Sequence, residues 1–144
     1  MPKVKKLDHV GIAVKNAEEA ARFYAEALGV AAEHYETVAG QGVRVAFLPV
    51  GEVTLELLEP TGPESPVAKF IDKRGEGIQH ICLEVEGIDE LLADLARRGA
   101  VAGSSTPVPG AHGTRVGFLH PRATGGVLIE LAEKGHRDKG QQPT

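Results

Sequence analysis

Apolar and polar positions along the chain change period twice, in the same order each time. Residues 7–14 (LDHVGIAV) and 78–85 (IQHICLEV) are runs of strand length rich in β-branched side chains. After each run the apolar positions switch to helical spacing: Ala17, Ala20, Ala21, Tyr24 and Leu28 in the first stretch, Ile88, Leu91, Leu92 and Leu95 in the second. Asn16 with Glu19 three positions on predicts a capping box, and Gly29 and Gly99 mark the helix ends. Three short strand candidates follow each helix, so each half reads strand, helix, three strands. Residues 60–77 between the halves predict a loop with one short helix, capped by Ser65 and opened by Pro66 at its first position. Residues 133–144 carry no apolar periodicity and are expected to be disordered.

The two halves are copies of one unit. AGQGVRVAFL at residues 39–48 and GAHGTRVGFL at 110–119 share five identities at an offset of 71, which also carries His9 onto His80. GEVTLEL at 51–57 and GGVLIEL at 125–131 share four identities in seven at an offset of 74. The three extra residues fall in the second copy's turn, at 120–124, where Pro121 and the flanking glycines tolerate insertion. A module of ~50 residues cannot cover both faces of its own sheet, so the copies are expected to pack together around one sheet-lined cavity within a single domain, residues 1–144. The expected boundaries are 7–59 for module one, 60–77 for the linker and 78–132 for module two.

Composition narrows the function. Sixteen Lys and Arg against twenty Asp and Glu give a net charge of −4, and no long basic block is present, so nucleic acid is not an expected partner. No run approaches the ~18 apolar residues of a membrane span, and Met-Pro-Lys-Val-Lys-Lys leads to Asp8 and His9 rather than to an apolar signal core; no membrane association and a cytoplasmic location are expected. Cys82 is the single cysteine, so a metal site must draw on His, Asp, Glu or Gln.

Of the six histidines, only His9 and His80 occupy equivalent places in the two copies. Glu56 and Glu130 are equivalent too, each inside an apolar strand, where a carboxylate facing the core must be paired or bound to a cation. Two imidazoles and two carboxylates suit one divalent ion and leave positions open for a chelating substrate. His34, His112, His120 and His136 lack a partner at the repeat offset; His120 before Pro121 reads as turn chemistry, and His112 sits in a Gly-rich loop that could overlie the cavity mouth. Cys82 reads as a small apolar filler. Lys69 and Lys73 on the linker helix read as a solvated face, with contact to a nucleotide phosphate as the alternative.

At these residues the chain resembles the vicinal oxygen chelate superfamily and, within it, the methylmalonyl-CoA epimerases. The resemblance runs from about residue 7 to 132 and is carried by LDHVGIAV, QGVRVAFLPVG, LELLEPTGPESPVAKF, GEGIQHICLEV and GAHGTRVGFLHPRATGGVLIEL. It implies an α+β fold in which two tandem βαβββ modules form one open, eight-stranded, barrel-like sheet. It further implies one divalent ion per chain, held by His9, Glu56, His80 and Glu130, with cobalt favoured and manganese, nickel or zinc as alternatives. The implied reaction is interconversion of (R)- and (S)-methylmalonyl-CoA through a metal-stabilised enolate, with an acyl-CoA as ligand and a homodimer as assembly. Epimerisation needs an acid/base group on each face of the enolate; Glu130 is the first choice and Glu56 the second. Some relatives carry a glutamate at the position of Val45 and a glutamine at that of Glu56, which leaves the second role here to Glu56 or to a water. The competing readings are a lactoylglutathione lyase and a non-enzymatic small-molecule binder of the same fold.

Overall fold

The computed structural model of the chain describes residues 3–135, so His136 and residues 137–144 of the expected tail lie outside it. Strand β1 (Lys3–Ala13) leads into helix α1 (Ala17–Leu28), whose Asn16 cap accepts the Glu19 amide and whose end is turned by Gly29 in the left-handed region, φ 69°. The Ala17 amide is satisfied by Glu59 Oε1. Strands β2 (His34–Val38), β3 (Val43–Val50) and β4 (Val53–Pro60) follow. Helix α2 (Pro66–Arg74) starts as Ser65 and Pro66 predict, with the Ser65 hydroxyl accepting the Val67 amide. The second copy supplies β5 (Gly77–Glu86), α3 (Ile88–Arg97), β6 (Val101–Ala102), β7 (Val108–Pro109), β8 (Arg115–Leu119) and β9 (Ile129–Glu133).

All the strands join one sheet in the order β2-β3-β4-β1-β5-β9-β8-β6, with β7 also on β8. The centre is the antiparallel β1–β5 pair, flanked by parallel β4 on one side and parallel β9 on the other. The sheet therefore repeats itself about an axis between β1 and β5. Nine strands stand where eight were expected, because β6 and β7 pair with successive stretches of β8 and together fill the edge place that β2 fills in the first copy.

Alternation along the strands sorts side chains between two layers. From β3, Ala46 and Leu48 pack with Leu57, Ala17 and Ala21 beneath α1, whereas Val43, Val45 and Phe47 face the other way with Leu58, Ala13 and Val67. In the second copy Leu131, Val85, Ile88 and Leu92 form the layer under α3, and Cys82, Val116 and Ala132 turn to the opposite face. Glu56 shares the parity of Leu58, and Glu130 that of Ala132, so the period of two that builds the cores turns both glutamates away from α1 and α3. Two expectations need correcting. Leu28 does not join the buried face of α1; it sits at the last helical turn, 62% exposed. The tail begins ordered: Glu133 ends β9 and accepts the Gly87 amide, and Lys134 pairs with Asp8 at 2.8 Å. Among the described residues no helix is long and apolar enough to cross a membrane.

Candidate metal centre and active site

Strand register brings the repeated His and Glu together. His9 on β1 lies beside Cys82 on β5, which lies beside Glu130 on β9. Glu56 on β4 lies beside Gly11 on β1, which lies beside His80 on β5. These two rows exchange under the internal axis, and each has a small residue, Cys82 or Gly11, in its middle. All four His and Glu side chains are buried, with residue exposures between 6% and 8%.

His9 Nε2 lies 3.1 Å from His80 Nε2 and 3.1 Å from Glu130 Oε1, and His80 Nε2 lies 3.0 Å from the same oxygen. Three ligating atoms at this spacing either share protons as hydrogen bonds or surround a cation. Donors ~2.1 Å from a shared ion stand ~3.0 Å apart when their bonds meet at right angles, and ~3.4 Å apart in a tetrahedron. The triangle therefore fits one face of an octahedral divalent site. Glu56 is not part of it: its Oε2 meets His9 on the other ring nitrogen, Nδ1, at 3.0 Å. The fourth donor expected from the sequence is thus paired to the outer nitrogen of His9 in this structure.

The outer edges of both imidazoles are fixed by the residues before them. Asp8 Oδ2 lies 2.8 Å from His9 Nδ1, and Gln79 Oε1 lies 2.6 Å from His80 Nδ1. Adjacent side chains on a regular strand point to opposite faces, and the exception has a visible cause. Pairing passes from Leu7–Leu83 to His9–Cys82, skipping Asp8, and from Gly11–His80 to Ile12–Ile78, skipping Gln79. Each skipped residue is the extra one of a β-bulge, which re-aims its side chain toward the following histidine. With Nδ1–H donating outward, a neutral ring has its Nε2 lone pair available to a cation in the triangle.

The charges agree with a cation at this place. Burial opposes a charge on His9, but its contacts with Asp8, Cys82, Glu130 and Glu56 overturn that and hold its pKa far above the usual imidazole value. Burial likewise opposes ionisation of Glu130, yet hydrogen bonds from His80 and His9 bring it down to about 2. The His9 hydrogen bond, with help from Lys134 and against burial, holds the Asp8 carboxyl well below the usual carboxylate range. Burial pushes the Cys82 thiol up to about 12, in keeping with a filler rather than a thiolate. Three carboxylates thus converge on two imidazoles, and a bound dication together with Lys134, 2.8 Å from Asp8, would balance them with both rings neutral.

The cluster forms the floor of a cavity of about 400 Å³, in the range of small-molecule sites. Its walls are largely apolar, including Val38, Val43, Val45, Leu58, Phe118 and Leu128. Val45 is 2% exposed and brings no proton-transfer group to the cavity. Lys134 lines it too. His120 does what its place before Pro121 suggests, its Nδ1 accepting the Arg122 amide in a tight turn. Lys69 and Lys73 border a separate groove with Arg74 that meets the cavity at Gln79 and Leu128. Sequence reading missed Asp8, Gln79, Gly11 and Lys134. The only available signal was that each repeated histidine follows a polar acceptor. It also missed that His34 and His112, 78 positions apart and so off the repeat offset, meet at the cavity rim.

An internally repeated sheet of this order, with a His–His–Glu cluster on its floor, defines a class. Residues 8–118 match the Glyoxalase/Bleomycin resistance protein/Dioxygenase superfamily, and the chain belongs to it. Within that class the chain is similar to the ethylmalonyl-CoA/methylmalonyl-CoA epimerase of Cereibacter sphaeroides, 42% identical over 132 residues that cover 90% of this chain and 98% of that one. It is 41% identical over 129 residues to the human mitochondrial methylmalonyl-CoA epimerase, covering 89% of this chain and 73% of that one. A variant of Streptomyces coelicolor methylmalonyl-CoA epimerase, solved in complex with 2-nitronate-propionyl-CoA, superposes with a TM-score of 0.86 at 35% identity, over 93% of this chain and 100% of that one.

Proposed function

We propose that this chain is an isomerase that interconverts the (R) and (S) epimers of methylmalonyl-CoA by removing and returning the α-proton. The observation that carries this reading is the placement of two carboxylates on opposite edges of one imidazole: Glu56 at His9 Nδ1, 3.0 Å, and Glu130 at His9 Nε2, 3.1 Å. Epimerisation is the reaction that needs two such groups, because a planar enolate must lose its proton to one side and regain it from the other.

His9, His80 and Glu130 would hold a divalent ion, which when bound supplies Lewis-acid stabilisation of the enolate worth several kcal/mol. Cobalt is the favoured ion; nickel, manganese and zinc suit the same mixed nitrogen and oxygen donors. Glu130, reached from both imidazoles, acts as the base on one face. Glu56 carries the acid/base role on the other, the role Val45 cannot fill. Asp8 and Gln79 keep both imidazoles in the tautomer that faces inward, and the apolar walls strengthen the electrostatic interactions inside the site. The acyl-CoA tail leaves past Gln79 and Leu128 toward Lys69, Lys73 and Arg74, where its phosphates find positive charge. The linker helix and the two modules, 7–59 and 78–132, work as one domain in this reading. A cytoplasmic homodimer completes it, supported by Phe23 and Leu28 on α1, each 62% exposed; sedimentation of the purified protein tests the dimer.

Purified, cobalt-loaded protein mixed with methylmalonyl-CoA in deuterated water should place deuterium at the α-carbon, and Glu130→Gln should abolish the exchange. Turnover of a glutathione hemithioacetal with no exchange into methylmalonyl-CoA would overturn the proposal in favour of a lyase. Tight binding without exchange would make the chain a binder.

A further inference from the structure

A second group of metal-ligating side chains lies outside the central triangle. His34 and Glu36 stand two positions apart on β2, and so project to the same side. His112 comes from the loop before β8 in the other module. His34 Nε2 and His112 Nε2 are 2.7 Å apart. Glu36 Oε1 lies 3.3 Å from His112 Nε2, and its Oε2 accepts the His112 backbone N–H at 3.3 Å. The ligand atoms of all three residues lie within 4.8 Å of one another.

We propose that His34, Glu36 and His112 form a second divalent-cation site that ties the two modules together at the rim of the cavity. Two imidazole Nε2 atoms 2.7 Å apart either share one N–H or turn both lone pairs to one cation, and the Glu36 carboxylate adds the negative charge that favours a dication there. The rings are positioned in advance. His34 stacks on Phe47 with centroids 4.5 Å apart and planes 13° apart, and His112 packs on the same Phe47 ring at 4.5 Å. Phe47 is 2% exposed and cannot easily move.

The backbone carries a further sign. His112 is the one non-glycine residue with positive φ among the described residues, at φ 58° and ψ 30°. A left-handed conformation is disfavoured for a residue with a side chain, and His112 adopts it where its ring meets His34.

Glu33, the residue immediately before His34, places a carboxylate oxygen 3.6 Å from His34 Nδ1, an ion-pair neighbour beyond hydrogen-bond length that adds negative charge to the cluster. Two imidazoles and one carboxylate select a first-row transition ion, nickel or zinc, over calcium or magnesium, which prefer all-oxygen sites. Side-chain exposures of 40% for His34, 49% for His112 and 32% for Glu36 leave the site open to an ion from solvent. Because Ala111 and His112 also line the main cavity, an ion here would pin the loop over its mouth.

This inference does not rest on the acyl-CoA reading, and its test needs no substrate. Metal-stripped full-length protein is titrated with nickel, and separately with zinc, by calorimetry. Two equivalents per chain are expected for the natural sequence, one for His34→Ala/His112→Ala and one for His80→Ala. The milder Glu36→Gln should weaken the second equivalent at least tenfold while leaving the first unchanged. Circular dichroism of the stripped variants identifies those that remain folded, and only these are counted. A single equivalent in the natural protein, or two in the folded double variant, overturns the proposal and leaves a His–His pair that shares a proton.

Discussion

Gly11 on β1 lies directly beside His80 on β5, and the imidazole occupies the place where any side chain at Gly11 would go. A methyl group there would sit 2.5 Å from His80 Nδ1 and overlap Cε1. The glycine is thus required by close approach rather than by its dihedral angles, and its counterpart under the repeat is the small Cys82.

Gly11→Ala should therefore push His80 out of the triangle. Overpacking costs ~1–3 kcal/mol in general, so the melting temperature should fall, and cobalt affinity should fall by at least about tenfold with it. Gly117→Ala is the control, since its methyl would meet Leu92 Cδ1 in the α3 core at 2.6 Å. It should lower stability and leave cobalt affinity, measured by chelator competition, unchanged. Equal losses of affinity in both variants would show that the effect is general destabilisation.

Asp8→Asn removes the anionic acceptor at His9 Nδ1 and the partner of Lys134 in one step. Loss of an outer partner of this kind typically lowers metal affinity ~10–100-fold, and that drop is expected here. Calorimetric titration with cobalt reads it directly.

Glu56→Gln separates proton transfer from metal binding. Because Glu56 touches His9 at Nδ1 and lies outside the triangle, the variant should keep its central metal equivalent and lose epimer interconversion by ~10²–10⁴-fold, the usual contribution of a positioned acid or base, while the epimer whose α-proton faces Glu130 still exchanges deuterium. Loss of the metal instead would return Glu56 to the ligand set that the sequence suggested.

Metal should stabilise the fold and acid should release it. At free cobalt ~100 times its dissociation constant, stability should rise by ~2.7 kcal/mol, seen as a higher melting temperature that EDTA reverses. Imidazole binds a metal only when neutral, so protons compete as the pH falls. Without metal His9 holds its proton far above the usual imidazole range, so cobalt must displace it, and affinity should climb steadily from about pH 5 through pH 7 and beyond, where a ligand set of carboxylates alone would already be flat. A pH-independent affinity across that interval would rule the histidines out as ligands.

Much of the architecture was legible in the chain because it rests on local rules. Asn16, Ser65 and Gly29 act through the backbone groups nearest to them, so the starts of α1 and α2 and the end of α1 fall where the residues place them. The doubled unit was legible as well, since the offset of 71 survives in His9 and His80. Less visible was anything requiring two strands to be set side by side. The bulges at Asp8 and Gln79 exist only in the pairing of β1 with β5, and neither residue differs in type from an ordinary surface position.

Periodicity and repetition in the sequence thus determined the order of elements, the internal symmetry and the four buried His and Glu side chains, because each follows from spacing along one chain. Tertiary structure decided which nitrogen of His9 meets which carboxylate, why Gly11 must be small, and that His34 and His112 meet at all. Those outcomes depend on strand register and on a left-handed turn at His112, and register is settled by packing between segments that lie far apart in the sequence.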